Sequence, residues 1–240
     1  MIMNNSNLEL NENQLYRYSR NIILNNIGGV GQKKLLLSKV LVVGAGGLGS
    51  PILYYLAATG IGTIGIIDYD IVEISNLQRQ ILHSTKDITR KKTLSAKEKL
   101  NELNPDIKIK IYNEKLNLNN INNIIKEYDI VADGSDNFET RFILNDNCFK
   151  QKKILVSGAV QGFEGYISTF KFLDRFSSPC YRCIFPEPPP ENSVDNCSTA
   201  GILGSVAGVV GSMQATEIVK EVLGIGSGLM GWLLIFDGIN

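Results

Sequence analysis

Apolar and polar positions along this chain follow two periods in turn. From Glu12 to Ile27, Leu15, Tyr18, Ile22 and Ile23 recur at helical spacing, with Arg17 and Arg20 on other faces, which predicts an amphipathic helix. Val40–Val43 is a short β-branched run and predicts a strand, as do Thr63–Ile67, Ile107–Ile111, Ile130–Ala132 and Ile154–Ser157. Helical periodicity returns between them, in Pro51–Ala58, in Thr93–Leu103 before Asn104-Pro105, in Leu118–Glu127 and in Asn137–Lys150. Strands alternating with helices predict an α/β fold. It is expected to be Rossmann-like, a mainly parallel sheet with helices on both faces and right-handed crossovers.

Beyond Ser157 the pattern changes. Gly165–Phe172 alternates with period two and reads as an antiparallel strand. Pro186–Asn196 is polar and proline-rich and reads as a loop; Thr199–Val222 reads as the last helix and Leu233–Phe236 as the last strand. The sheet is therefore expected to gain antiparallel strands in its C-terminal part. Residues 1–240 read as a single domain, with an N-terminal helix at 12–27 and a crossover loop at about 184–197.

Composition narrows the class. A chain of 240 residues suits one larger domain, and can bury roughly 70–75% of its unfolded surface without disulfide or metal. Twenty-four basic against 24 acidic side chains argue against a general nucleic-acid binder. Met1–Glu12 is polar and asparagine-rich, unlike a secretory signal, and the small-residue run Ala200–Thr216 is too short for a comfortable membrane span. Four cysteines in that setting predict thiols in a reducing cytoplasm.

The densest chemical signal is Gly44-Ala-Gly46-Gly47-Leu-Gly49, which follows the first strand and opens a helix. Gly44 permits the tight turn, Gly46 the close approach of a ligand, and Gly49 the packing of helix on strand. Bare N–H groups at the helix start then suit phosphate. By itself the loop serves a nicotinamide-dependent oxidoreductase equally well. Asp68 ends the second strand, 19 residues after Gly49, where a carboxylate grips ribose hydroxyls; a solvated strand end is the alternative.

The neighbouring residues favour phosphate chemistry. Asn76 and Arg79 lie in Ser75–Gln80, and Arg90-Lys91-Lys92 follows. Hydride transfer has no need of such a cluster, whereas phosphoryl or nucleotidyl transfer does. For residues 90–92 the alternative is a solvated helix start. Asp136 follows a strand end and either holds Mg²⁺ against a triphosphate or caps the next helix.

Cys180 and Cys183 form a C-x-x-C, half of a structural zinc site. Cys148 sits in an apolar helical context and reads as buried and inert. Cys197 directly precedes the last predicted helix, where a thiolate would be stabilised; it is a nucleophile candidate, or else a small residue packing the loop. His83, the sole histidine, has no evident acid–base partner and reads as structural or surface.

Together these segments resemble the ThiF/MoeB/HesA family, relatives of the ubiquitin-activating enzymes. The resemblance runs from Arg17-Tyr-Ser-Arg20 through GAGGLGS, DYD, SNLQRQ, GSDNF, VSGA, PCYRC and NCSTAG to GSMQATE, nearly the whole chain. It implies an enzyme that uses ATP and Mg²⁺ to adenylate the C-terminal Gly-Gly carboxylate of a small ubiquitin-like sulfur carrier, of the molybdopterin or thiamine pathway. It further implies that Gly47 and its loop line the ATP site, that Asp68 holds the ribose, and that Asn76, Arg79 and Lys92 surround the phosphates with Asp136 at the metal. Arg20 would reach the ATP site of a partner subunit, hence a homodimer. Cys197 would take part in sulfur transfer, drawing on a persulfide donor.

Two departures stand out. Lys91 occupies the place of the family's proline, so that Lys91 and Lys92 are exchangeable by one position. No second C-x-x-C follows, which leaves open a shortened sequence, a lost zinc, or a Zn²⁺ site completed by other ligands. Two rival readings are an NAD-dependent oxidoreductase and a non-catalytic nucleotide-binding protein, which would tolerate loss of Asp136.

Overall fold

The computed structural model describes residues 9–172, 178–187 and 201–240. The five apolar runs form parallel strands β1 (Lys39–Val43), β2 (Thr63–Ile67), β3 (Lys108–Tyr112), β4 (Ile130–Asp133) and β5 (Ile154–Gln161). Two antiparallel strands, β6 (Glu164–Phe170) and β7 (Leu234–Asp237), extend the sheet, in the order β3-β2-β1-β4-β5-β6-β7. The expected Rossmann-like α/β fold with its antiparallel C-terminal extension is the one observed.

β1 pairs with both β2 and β4. Crossovers therefore run outward in opposite directions from β1, and a crevice opens at the C-terminal ends of β1 and β4. Gly44, just after β1, has φ +92°, and a Cβ there would lie 2.7 Å from the Gly134 carbonyl oxygen, just after β4. The two loops thus meet at the switch point.

The helices are α1 (Glu12–Arg17), α2 (Ser19–Ile22), α3 (Gly28–Leu37), α4 (Gly49–Thr59), α5 (Lys92–Leu103), α6 (Ile121–Ile125), α7 (Phe138–Gln151), α8 (Tyr181–Ile184) and α9 (Gly204–Leu223). Alternate strand residues face opposite sides. Val40, Val42, Ile64 and Val156 pack with Ile52 and Leu56 of α4, Leu100 of α5 and Val210 of α9. Leu41, Val43, Val131 and Leu155 pack with Ile121 and Ile125 of α6 and Phe142 and Leu144 of α7.

Several expected boundaries are corrected. The helix over 12–27 breaks at Tyr18 (φ −97°, ψ 11°) and ends at Ile22. Tyr18 is buried, and its hydroxyl accepts from Asn104 Nδ2 at 2.9 Å, a tertiary tie that overrides the helical period. α3 escapes the pattern because Gly28 and Gly29 are poor helix formers. The helix over 118–127 shrinks to α6, since asparagine side chains bind backbone instead: Asn120 Oδ1 accepts from the Asn117 N–H at 2.9 Å. α9 begins at Gly204 rather than Thr199. Ile184 closes α8, and residues 188–197 of the expected crossover loop lie outside the described residues. Among the described residues no helix is long and apolar enough to cross a membrane.

Candidate functional site

The glycine loop joins β1 to α4. A Cβ on Gly49 would lie 2.0 Å from the Gly44 carbonyl oxygen, so the turn closes only over a bare α-carbon. Among the described residues nothing accepts from the backbone N–H of Gly46, Gly47 or Leu48, and all three line the crevice. At the start of α4 these donors make a ready anion site.

Ala45, inside the loop, is held from both sides. Its N–H donates to Asp68 Oδ2 at 2.8 Å, and its carbonyl accepts from His83 Nε2 at 3.0 Å. A carbonyl can only accept, so Nε2 carries the proton, and Nδ1 accepts from the Ser95 hydroxyl at 2.9 Å. Burial holds the His83 pKa down to about 4, so the ring is neutral. Of the two readings of His83, structural and surface, the structural one holds.

The crevice is a cavity of about 140 Å³, and Gly44, Gly46, Gly47, Asp68, Arg79, Lys92 and Asp136 all line it. Asp68 also accepts the Asp70 N–H at 2.8 Å; burial raises its pKa, with Lys92 pulling the other way. Both carboxylate oxygens keep a lone pair for a hydroxyl donor. Lys92 Nζ pairs with Asp70 Oδ2 at 2.8 Å. Lys91 Nζ turns instead to the Tyr69 carbonyl at 3.0 Å and does not line the cavity. The structure thus separates the two lysines that the sequence left exchangeable.

The stem of Arg79 lies over the loop, its Cγ 3.5 Å from where a Gly47 Cβ would be. Arg79 Nη1 donates to the Ser75 carbonyl at 3.1 Å, and no described acid pairs with it. Asp136 is exposed at the mouth. The capping alternative falls to its neighbour, because Asn137 Oδ1 accepts the Thr140 N–H of α7 at 2.9 Å. Two expected residues are not in this lining. Asn76 Oδ1 accepts the Glu73 N–H at 3.3 Å, and Arg20 is exposed on α2.

A second cavity of about 330 Å³ lies between β5, β6 and α8, walled by Tyr166, Ile167, Phe170, Tyr181 and Phe185. It shares Asp136, Arg141 and Val160 with the crevice. Sequence reading missed Arg141, which looks like any polar position of a helix face. It also missed Gln80, which is 5% exposed, lines the crevice and keeps a buried Oε1 without a partner. Adjacency to Arg79 was the only available signal for Gln80.

Cys180 and Cys183 stand 3.6 Å apart, Sγ to Sγ. Two thiolates on one tetrahedral zinc would be about 3.8 Å apart at a Zn–S length of about 2.3 Å. The spacing fits; among the described residues no group of three or more metal-binding side chains exists, so of the expected zinc site they show this pair alone. Cys148 is buried, and burial pushes its thiol well up, as expected of an inert residue. Cys197 lies outside the described residues. The residues beside it lie there too, and the last helix, α9, starts at Gly204.

A model of the ThiF family matches residues 18–240. The adenylyltransferase and sulfurtransferase MOCS3 of Culex quinquefasciatus is 48% identical over 230 residues, which are 96% of this chain and 52% of that protein. The sulfur carrier protein adenylyltransferase of Thermus thermophilus is 44% identical over 229 residues, 95% of this chain and 84% of that protein. The chain thus spans about half the length of the MOCS3 relatives it matches. Among solved structures, PaaA superposes with a TM-score of 0.81 at 19% identity, over 99% of this chain and 75% of its own. E. coli MccB with ATP superposes with a TM-score of 0.77 at 23% identity, over 92% and 71%. These two likenesses concern the fold alone.

Proposed function

Because the chain belongs to the ThiF family, we propose that it is an ATP-dependent adenylyltransferase acting on a small ubiquitin-like sulfur-carrier protein. It activates the carrier's C-terminal Gly-Gly carboxylate as an acyl adenylate, for sulfur transfer in molybdopterin or thiamine synthesis. The observation that carries this reading is the gathering of Arg79, Lys92 and Asp136 around one glycine loop. Hydride transfer has no use for that set. The sole histidine is neutral and engaged at both nitrogens, so it offers no acid–base relay.

The chemistry suits these residues. A terminal carboxylate is ionised at pH 7 and needs no general base. Its oxygen bonds to the α-phosphorus while the bond from that phosphorus to the bridging oxygen breaks, and pyrophosphate leaves with the electron pair. Catalysis is then positioning and charge neutralisation. The loop N–H groups, Arg79 and Lys92 hold the phosphates; Asp68 holds the ribose. Asp136, a hard oxygen donor at the mouth, would hold Mg²⁺, which when bound offsets charge on the triphosphate. The larger cavity takes the carrier tail.

The acyl adenylate is then open to a sulfur nucleophile, whose new bond to the acyl carbon forms as the bond to AMP breaks and AMP leaves, with Cys197 and a persulfide donor serving transfer. No step runs through zinc. Arg20, exposed and away from its own crevice, suits a homodimer in which it completes the partner's site. Residues 1–240 act as one domain, in the cytoplasm.

ATP–pyrophosphate exchange with candidate Gly-Gly carriers tests the reading. Exchange should depend on carrier and fall in Asp136→Ala. No carrier-dependent exchange with any such carrier sinks it.

A further inference from the structure

Arg141 is the only cationic side chain among the described residues that lines both cavities. It sits in the first turns of α7, half-buried, and its Nη2 donates to the Ser135 carbonyl at 3.0 Å. That carbonyl is itself fixed. Ser135 donates to Asp133 Oδ1 through its N–H at 3.0 Å and its hydroxyl at 2.6 Å, and the buried Asp133 also accepts from the Ser157 hydroxyl at 3.1 Å. The guanidinium is thus anchored by one of its five donors to the loop after β4. No described carboxylate pairs with it.

The walls around it are apolar and aromatic. Burial raises the Tyr181 phenol pKa, and the nearby Arg141 pulls it back. An ionised carboxylate brought into such a place is strongly penalised by desolvation unless it finds a donor or counter-charge. Asp136 also lines both cavities and would repel it. Arg79 and Lys92 line only the crevice, on the phosphate side.

Resting on the adenylation reading above, we infer that Arg141 is the substrate-binding residue that receives the acceptor's terminal carboxylate. It pairs with the carboxylate at the junction of the two cavities and aims it at the α-phosphorus. Arginine suits the task because its fork meets both carboxylate oxygens at once. The division of labour follows from position: Arg79 and Lys92 serve the leaving pyrophosphate, and Arg141 serves the nucleophile.

The test compares a Gly-Gly sulfur carrier with a free C-terminal acid and the same carrier as its C-terminal amide. Binding is measured by calorimetry to wild type, Arg141→Gln and Arg141→Lys. The wild type should prefer the acid by about tenfold to a hundredfold, the range of a charge-assisted hydrogen bond. Arg141→Gln should bind the acid only as well as the amide, with amide affinity unchanged, and Arg141→Lys should recover part of the preference. The KM for ATP should stay within about twofold. The assignment is overturned if Arg141→Gln keeps the acid preference, weakens acid and amide alike, or raises the KM for ATP instead. Should the wild type exchange pyrophosphate yet bind acid and amide equally, the Arg141 assignment fails and the adenylation reading stands. Absence of carrier-dependent exchange in the wild type sinks both.

Discussion

His83 Nε2 donates to the Ala45 carbonyl at 3.0 Å, which makes the chain's single histidine a prop of the glycine loop. The pair has a pH signature. In the folded protein the ring stays neutral down to about pH 4, whereas an unfolded histidine protonates near 6.5. Between those values the unfolded state binds more protons, so stability falls as pH falls. By pH 5 the His83 share of that loss is about 2 kcal/mol. Asp68, raised by burial, works in the opposite sense, and Asp87, held low chiefly by Lys99 and Ser84 against its burial, matters only below the carboxylate range. The readout is therefore a difference. Urea unfolding at pH 7 and pH 5 should show a clearly flatter pH dependence in His83→Gln than in wild type, and identical slopes would contradict the assignment.

Gly49→Ala should be severe although alanine is the better helix former. The new Cβ would meet the Gly44 carbonyl oxygen at 2.0 Å, and backbone on both sides leaves nothing to yield. We expect a loss of at least about 2 kcal/mol in denaturant unfolding, with weakened ATP binding. A neutral or stabilised variant would mean that the loop closes otherwise.

Asp136 and its neighbour Asn137 should separate chemistry from stability. Asn137 caps α7, so Asn137→Ala should cost about 1 kcal/mol of stability. Asp136→Ala should leave the thermal midpoint nearly unchanged while pyrophosphate exchange drops about a hundredfold or more. A stability loss in Asp136→Ala matching that of Asn137→Ala would assign the cap wrongly.

Lys92 and Lys91 give a second such contrast. Lys92 is buried in the crevice against Asp70, whereas Lys91 donates to the Tyr69 carbonyl and does not line the crevice. Lys92→Ala should lower the exchange rate about a hundredfold. Lys91→Ala should stay within about threefold of wild type, since surface changes away from a site act weakly. Equal losses in the two would return the pair to ambiguity and count against the phosphate role of Lys92.

For Cys197→Ala, adenylation should survive and sulfur transfer to the carrier should fall. Single-turnover assays of the acyl adenylate and of thiocarboxylate product separate the two. Parallel loss of both would deny the thiol a step of its own.

Much of the site was legible because it is local. A β-branched run, a glycine turn and an apolar helix start occupy Val40 to Ile52, and each part is recognisable from residues a few positions away. The same holds for β2 ending at Asp68 and for β4 ending just before Gly134 and Asp136. α3 was not legible, because two glycines hid a helix whose support comes from packing Leu35 into the core. The break at Tyr18 was not legible either, since its cause is Asn104, 86 residues away.

The chain's pattern of hydrophobic runs, turns and charges was enough for the α/β class, the strand sequence and the phosphate-facing loop, since each depends on short-range periodicity and turn geometry. Assigning Lys92 rather than Lys91 to the crevice needed the direction of two side chains at a helix start. Recognising Arg141 needed the second cavity, which exists only where β5, β6 and α8 meet α7. A helix-face arginine becomes distinctive only when distant segments remove its counter-charges and surround it with apolar walls, and that environment is made by long-range packing.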